Sequence, residues 1–120
     1  MDSQFCEPTN VAFDFYLRTY RRALARAGGD AATARKLYRY FLEAQIPNPN
    51  LGVVQRVDVA GEAKALALST LQATADAILR EGLASKTELE VALAGLAAVT
   101  ADPTTIIGGP RTFQLWSRKE

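Results

Sequence analysis

Phe13, Tyr16 and Tyr20 recur at steps of three and four residues, so a helix would set all of them on one face. With Phe15, Tyr38, Tyr40 and Phe41 they hold most of the aromatic side chains of the chain, and such a cluster could line an apolar pocket. Phe13, Tyr16 and Tyr20 are therefore the candidate substrate-pocket residues, and an aromatic or hydrophobic small molecule is the matching ligand. Core packing is the competing reading of the same cluster. Acid–base or metal chemistry has little to start from, because the 120-residue sequence contains no histidine and one cysteine, Cys6. It lacks the commonest general base and metal ligand, and Cys6 has no partner for an internal disulfide. Ser-His and Cys-His hydrolysis and ordinary zinc sites are excluded, leaving Asp, Glu, Tyr and Lys. Asp14 and Glu43 are the carboxylates nearest the aromatic cluster, and neither has a partner that marks it out. No catalytic, cofactor-binding or metal residue is assigned.

The elements that must position these residues follow from periodicity. Residues 11–27 repeat apolar positions at helical spacing, with Arg18, Arg22 and Arg26 as a second stripe, and Gly28-Gly29 ends the helix. Asp30 is placed to cap a second helix, which carries Leu37, Phe41 and Ala44 and stops at Pro47-Asn48-Pro49. Residues 51–60, with Val53, Val54, Val57 and Val59, read as a strand with much of its surface covered. Alanine- and leucine-rich residues 61–80 form a third helix, with Leu68, Leu71, Ala75 and Ile78 on one side and Gly82 just beyond its end. Ser85-Lys86-Thr87-Glu88 matches a capping box that opens a fourth helix, whose inner side carries Leu89, Leu93 and Leu96. After Asp102-Pro103 and the Gly108-Gly109-Pro110 turn, residues 111–118 alternate as a strand, with Trp116 packed on a helix.

This order predicts an α+β fold: about four helices on a two-stranded antiparallel sheet. Residues 1–9 read as a flexible leader and residues 10–120 as a single domain. A composition of 48% hydrophobic and 22% charged residues fits one globular domain. The net charge of +1 gives no field suited to a polyanion, and the first residues lack the pattern of a secretory signal. A cytoplasmic protein with neither a membrane nor a nucleic-acid partner is the expectation, even though residues 18–39 are locally basic. Two strands alone also leave both sheet edges open, which points to a second chain.

The run Arg35-Lys36-Leu37 through Ala44-Gln45-Ile46, followed by Asn50-Leu51-Gly52-Val53-Val54, resembles the late helix and penultimate strand of class I S-adenosylmethionine-dependent methyltransferases of the bacterial small-molecule type. The resemblance continues through Glu81-Gly82-Leu83-Ala84-Ser85 and Ala101-Asp102-Pro103 to Arg111-Thr112-Phe113-Gln114-Leu115-Trp116-Ser117-Arg118-Lys119, which is similar to that family's closing strand. It covers roughly residues 11–119. It implies the C-terminal half of the fold, in which the last strand lies antiparallel between the penultimate strand and a strand of the N-terminal half. The family holds S-adenosylmethionine at a glycine-rich strand-to-helix turn and an acidic residue, and the sequence shows neither.

The resemblance therefore implies a substrate-binding or interaction module that is not catalytic alone, acting as a fragment or subunit of such an enzyme. S-adenosylmethionine would enter only if a partner supplied the missing half. A homodimer or a cofactor-binding partner chain would complete the sheet. A stand-alone small-molecule binder or cyclase-like helper, and a structural oligomerisation protein, are the alternatives.

Overall fold

In the computed structural model, residues 3–30 and 33–118 are described. The chain forms β1 (Phe5–Glu7), α1 (Val11–Arg26), a 3₁₀ turn (Thr33–Lys36), α2 (Leu37–Glu43), β2 (Asn50–Val54), β3 (Val57–Asp58), α3 (Leu66–Arg80), α4 (Lys86–Ala101), β4 (Ile106–Gly108) and β5 (Thr112–Trp116). The architecture is the α+β arrangement of helices with small antiparallel sheets.

The terminal strand region organises both sheets. β5 pairs antiparallel with β2, from Asn50 opposite Trp116 to Val54 opposite Thr112. Beyond this ladder the same two chain segments pair again, as β3 with β4, Val57 standing opposite Gly108. Between the two ladders Gln55 and Arg56 face Gly109, Pro110 and Arg111, so one strand carries one extra residue, the count of a β-bulge. The Gly109 amide donates to the Arg56 carbonyl, and the Gln55 side chain donates to the carbonyls of Gly109 and Ser3, which ties the bulge down. What reads in the sequence as a turn at Gly108-Gly109-Pro110 is thus a three-residue link, 109–111, between β4 and β5.

β1 covers the other edge of β4, giving the order β1-β4-β3. Residues 5–7, within the segment expected to be a leader, therefore form an edge strand of the sheet, while residues 1 and 2 lie outside the described residues. The physical reason is a cross-strand pair: Phe5 stands opposite Gly108, and a Cβ at Gly108 would lie 2.1 Å from the Phe5 ring, so the ring occupies the space that glycine leaves.

The core lies where α1, α3 and α4 pack together and meet this sheet. Phe13, Tyr16, Leu71, Ile78, Leu89, Leu96 and Ile107 are buried in it. The capping box holds as expected: Glu88 N–H donates to the Ser85 hydroxyl and Ser85 N–H donates to the Glu88 carboxylate. Gly82, at φ +67°, ends the preceding helix in the left-handed region. Lys64 is fully buried, its ammonium donating to the carbonyls of Val59 (3.0 Å) and Asp102 (2.8 Å), so it joins the β3–α3 loop to the end of α4.

A second lobe differs in kind. It consists of the 3₁₀ turn, α2 and the β2–β5 ribbon, and none of residues 33–59 or 109–118 is buried. Two expectations are corrected here: the strand read as covered is open, with Leu51 54% and Val53 50% exposed, and Trp116 is 52% exposed and not packed away under a helix. The second helix is also shorter than its periodicity implies. Asp30 pairs with Lys36 across the 3₁₀ turn, and regular α-helix begins only at Leu37. The elongation is global: the radius of gyration is 16.8 Å, against about 14 Å for a compact chain of this length.

The α1–α4 seam makes a direct test. A Cβ at Gly95 would lie 2.6 Å from that of Ala12, an atom fixed to the backbone of α1. Gly95→Ala should destabilise the protein by about 1–3 kcal/mol in urea unfolding, although alanine is the better helix former by about 1 kcal/mol. Adding Ala12→Gly should recover most of that loss; equal stability of Gly95→Ala and the parent would refute the close approach.

Candidate functional site

Phe13, Tyr16 and Tyr20 come together in space as they do in sequence. Phe13 and Tyr16 lie with ring centroids 5.8 Å apart and tilted by 55°, and Tyr16 and Tyr20 stack at 5.9 Å. They form a row along the inner side of α1. Phe13 and Tyr16 are 1% and 2% exposed, and Tyr20 is partly buried against the same core. Burial pushes the Tyr16 phenol up from its ordinary value, while hydrogen bonds with Thr70 and Gln4 act the other way. The phenol thus stays protonated at neutral pH and joins α1 to α3 and to the segment before β1.

An open groove lies beside this row, on the adjacent face of α1. It has a volume of about 630 Å³ and is lined by Val11, Ala12 and Phe15 of α1 and by Val91, Ala92 and Gly95 of α4. That volume falls in the range of small-molecule sites, roughly 300–1,000 Å³. The helices run antiparallel along the seam, since Ala12 meets Gly95 while Arg26 reaches Glu81 just beyond α3. Polar groups enter from the helix starts: Asn10, which caps α1 by accepting from Phe13 N–H, and Thr87 and Glu88 in the first turn of α4. Sequence reasoning placed its candidates one face away from this groove. Val11 and Val91 stand outside the buried stripes of their helices, and that misplacement is the signal that could have found it.

The titratable groups near these features are quiet. Cys6 is half-buried, and burial raises its thiol above the ordinary 9.0 while the charge of Lys64 opposes the shift. A protonated thiol is a poor nucleophile. Glu88 is held below the ordinary carboxylate value by its hydrogen bonds with Ser85, backbone first. Asp102 is depressed by hydrogen bonds from the Thr104 hydroxyl and amide. Among the described residues there is no cluster of three His, Cys, Asp or Glu side chains suited to a metal ion. Nor is any helix long and apolar enough to cross a membrane.

Among the described residues no glycine pair stands at a strand-to-helix turn. Gly28 and Gly29 follow a helix, and Gly108 and Gly109 lie in and beside a strand. Gly61, at φ +90°, does stand between β3 and α3, but it stands alone, and the buried Lys64 ammonium occupies that connection. No protein-family model matches the sequence, and no curated protein matches it.

The pH dependence of the α4 start can be stated with its sign. Glu88 has a depressed pKa in the folded state, so its contribution is present above its unfolded value near 4.5 and is lost as pH falls through the folded value. Glu88→Ala should lower the urea midpoint at about pH 6 and show a much smaller difference from the parent at about pH 3. A difference unchanged between the two conditions would show that the carboxylate's ionisation plays no part.

Proposed function

We propose that the chain is a methyltransferase-derived substrate-binding and interaction module, not catalytic alone, which works against a second polypeptide segment. The observation that carries this reading is the lobe without a core. On one face of the ribbon Leu51 and Val53 stand beside Leu115 and Phe113 as cross-strand pairs. Phe113 and Leu115 are partly buried, while Leu51, Val53 and, from α2, Tyr38, Tyr40 and Leu42 stay about half exposed. A helix and a ribbon that bring apolar residues together without fully burying any of them gain little on folding, and an exposed apolar patch of this kind marks an interface.

The edge of β5 away from β2 has no strand against it among the described residues. In the class I methyltransferase fold that the sequence resembles, the closing strand has a neighbour there from the cofactor-binding half. The antiparallel pairing of β2 with β5 agrees with that order. The partner segment would hold S-adenosylmethionine and supply the transferable methyl group, and this chain would contribute an apolar wall on the substrate side. The module belongs to the cytoplasm in this reading.

Light scattering behind a sizing column tests it. The isolated chain should run as a monomer when dilute and gain mass as concentration rises, without saturable S-adenosylmethionine binding by calorimetry. Leu51→Lys with Val53→Lys should suppress the gain in mass while changing stability by less than about 1 kcal/mol, since both sites are exposed. A dimer that persists on dilution would instead favour an independent structural oligomer, with twofold pairing of β5 as its contact.

A further inference from the structure

Val11 and Val91 are 87% and 68% exposed, the two highest values among the large apolar side chains, and both line the α1–α4 groove. A single exposed valine is ordinary. Two on facing helices, with the Phe15 ring and the Gly95 notch between them, make a continuous apolar trough. Glu88 is the one ionisable side chain among the lining residues, and its charge is set against the positive amide ends of α1 and α4 at the same rim. Its carboxylate accepts from the Ser85 amide at 3.0 Å, which fixes it at the start of α4. Arg18 lies outside the lining, its guanidinium 5.9 Å from the Phe15 ring centroid, and shares the field of Glu88.

We propose that the α1–α4 groove is a binding site for a small apolar amine, its hydrocarbon or aromatic body lying along Val11, Phe15 and Val91 and its ammonium directed to Glu88. The trough gives the apolar body its place, and the anchored carboxylate selects the sign of the head group. An anionic ligand meets the like charge of Glu88 instead. Because Glu88 is exposed and Arg18 is close, the charge contributes a several-fold preference and not orders of magnitude. None of the lining residues belongs to α2 or the β2–β5 ribbon, so the site does not rest on the partner segment proposed above. It also differs from the Phe13–Tyr16–Tyr20 row, which the core occupies.

Three matched probes test it on the full chain: 2-(1-naphthyl)ethylamine, 2-(1-naphthyl)ethanol and 1-naphthylacetate, each titrated while amide shifts are followed by NMR. The amine should saturate with a Kd of about 1 mM or below. It should move the amides of Ala12, Phe15 and Val91, and bind about threefold to tenfold more tightly than the carboxylate, with the alcohol between. Glu88→Gln, which keeps a capping side chain, should erase the preference for the amine while leaving the alcohol unchanged. Val91→Arg, at an exposed site that leaves the fold intact, should weaken the amine at least tenfold. The site is refuted by non-saturating titrations, by equal affinity for amine and carboxylate, or by Val91→Arg binding like the parent. Shifts confined to the ribbon and α2 would refute it too, and would report apolar adhesion to the open lobe.

Discussion

The strand run from Ile106 to Trp116 is the constraint on which the rest of the molecule depends. Its first part, β4, is paired on both sides and places Ile107 in the core. Its second part, β5, is paired on one side and buries nothing fully. The bulge at residues 109–111 joins the two and changes the register by one residue. The first part carries Ile107, which is buried among the helices, and the second carries Phe113 and Leu115, which are only partly buried.

That division sets how stability is distributed. The helical lobe contains every buried apolar residue described, with α1, α3 and α4 packed around Leu71, Ile78 and Leu96. The ribbon lobe holds its shape through the backbone ladder of β2 with β5 and through short ties such as the Ser117 hydroxyl on the Pro47 carbonyl. Backbone hydrogen bonds exchange with water bonds at small net gain, so such a lobe opens more easily than the core. An element that is formed but weakly held is suited to completing a surface when a partner arrives.

The features legible in the sequence are those whose cause is local. The capping box at Ser85 and Glu88, the stop at Gly82 and the alternation of residues 112–116 each depend on neighbours a few positions away, and each is found where it was expected. β1 and β4 were not legible, because Phe5 and Gly108 explain each other only once they are paired across 103 positions of chain. Ile106-Ile107 alone is too short an apolar run to outweigh the Gly108-Gly109-Pro110 signal. The composition around Trp116 and the valines of β2 implies covered strands, and what would cover them is not a local property. The aromatic row was visible as a helical face, but its burial depends on Gln4 and Thr70, which approach Tyr16 from other elements.

The uneven charge of the sequence has a use in the fold. Arg26 donates to the Glu81 carbonyl at 2.8 Å and faces its carboxylate at 3.5 Å, and Arg18 lies near Glu88, so basic α1 is set against the acidic start of α4. These groups are exposed, and pairs of this kind contribute about 0–1 kcal/mol each. Their effect is on direction: an α1 running parallel to α4 would bring Asp14 to the acidic end and carry Arg26 away from it. The seam thus has an exposed ion pair at Arg26–Glu81 and a close approach at Ala12–Gly95, points about 21 Å apart along α1. Phe15 and Val91 lie between these points, where the two helices leave the groove open.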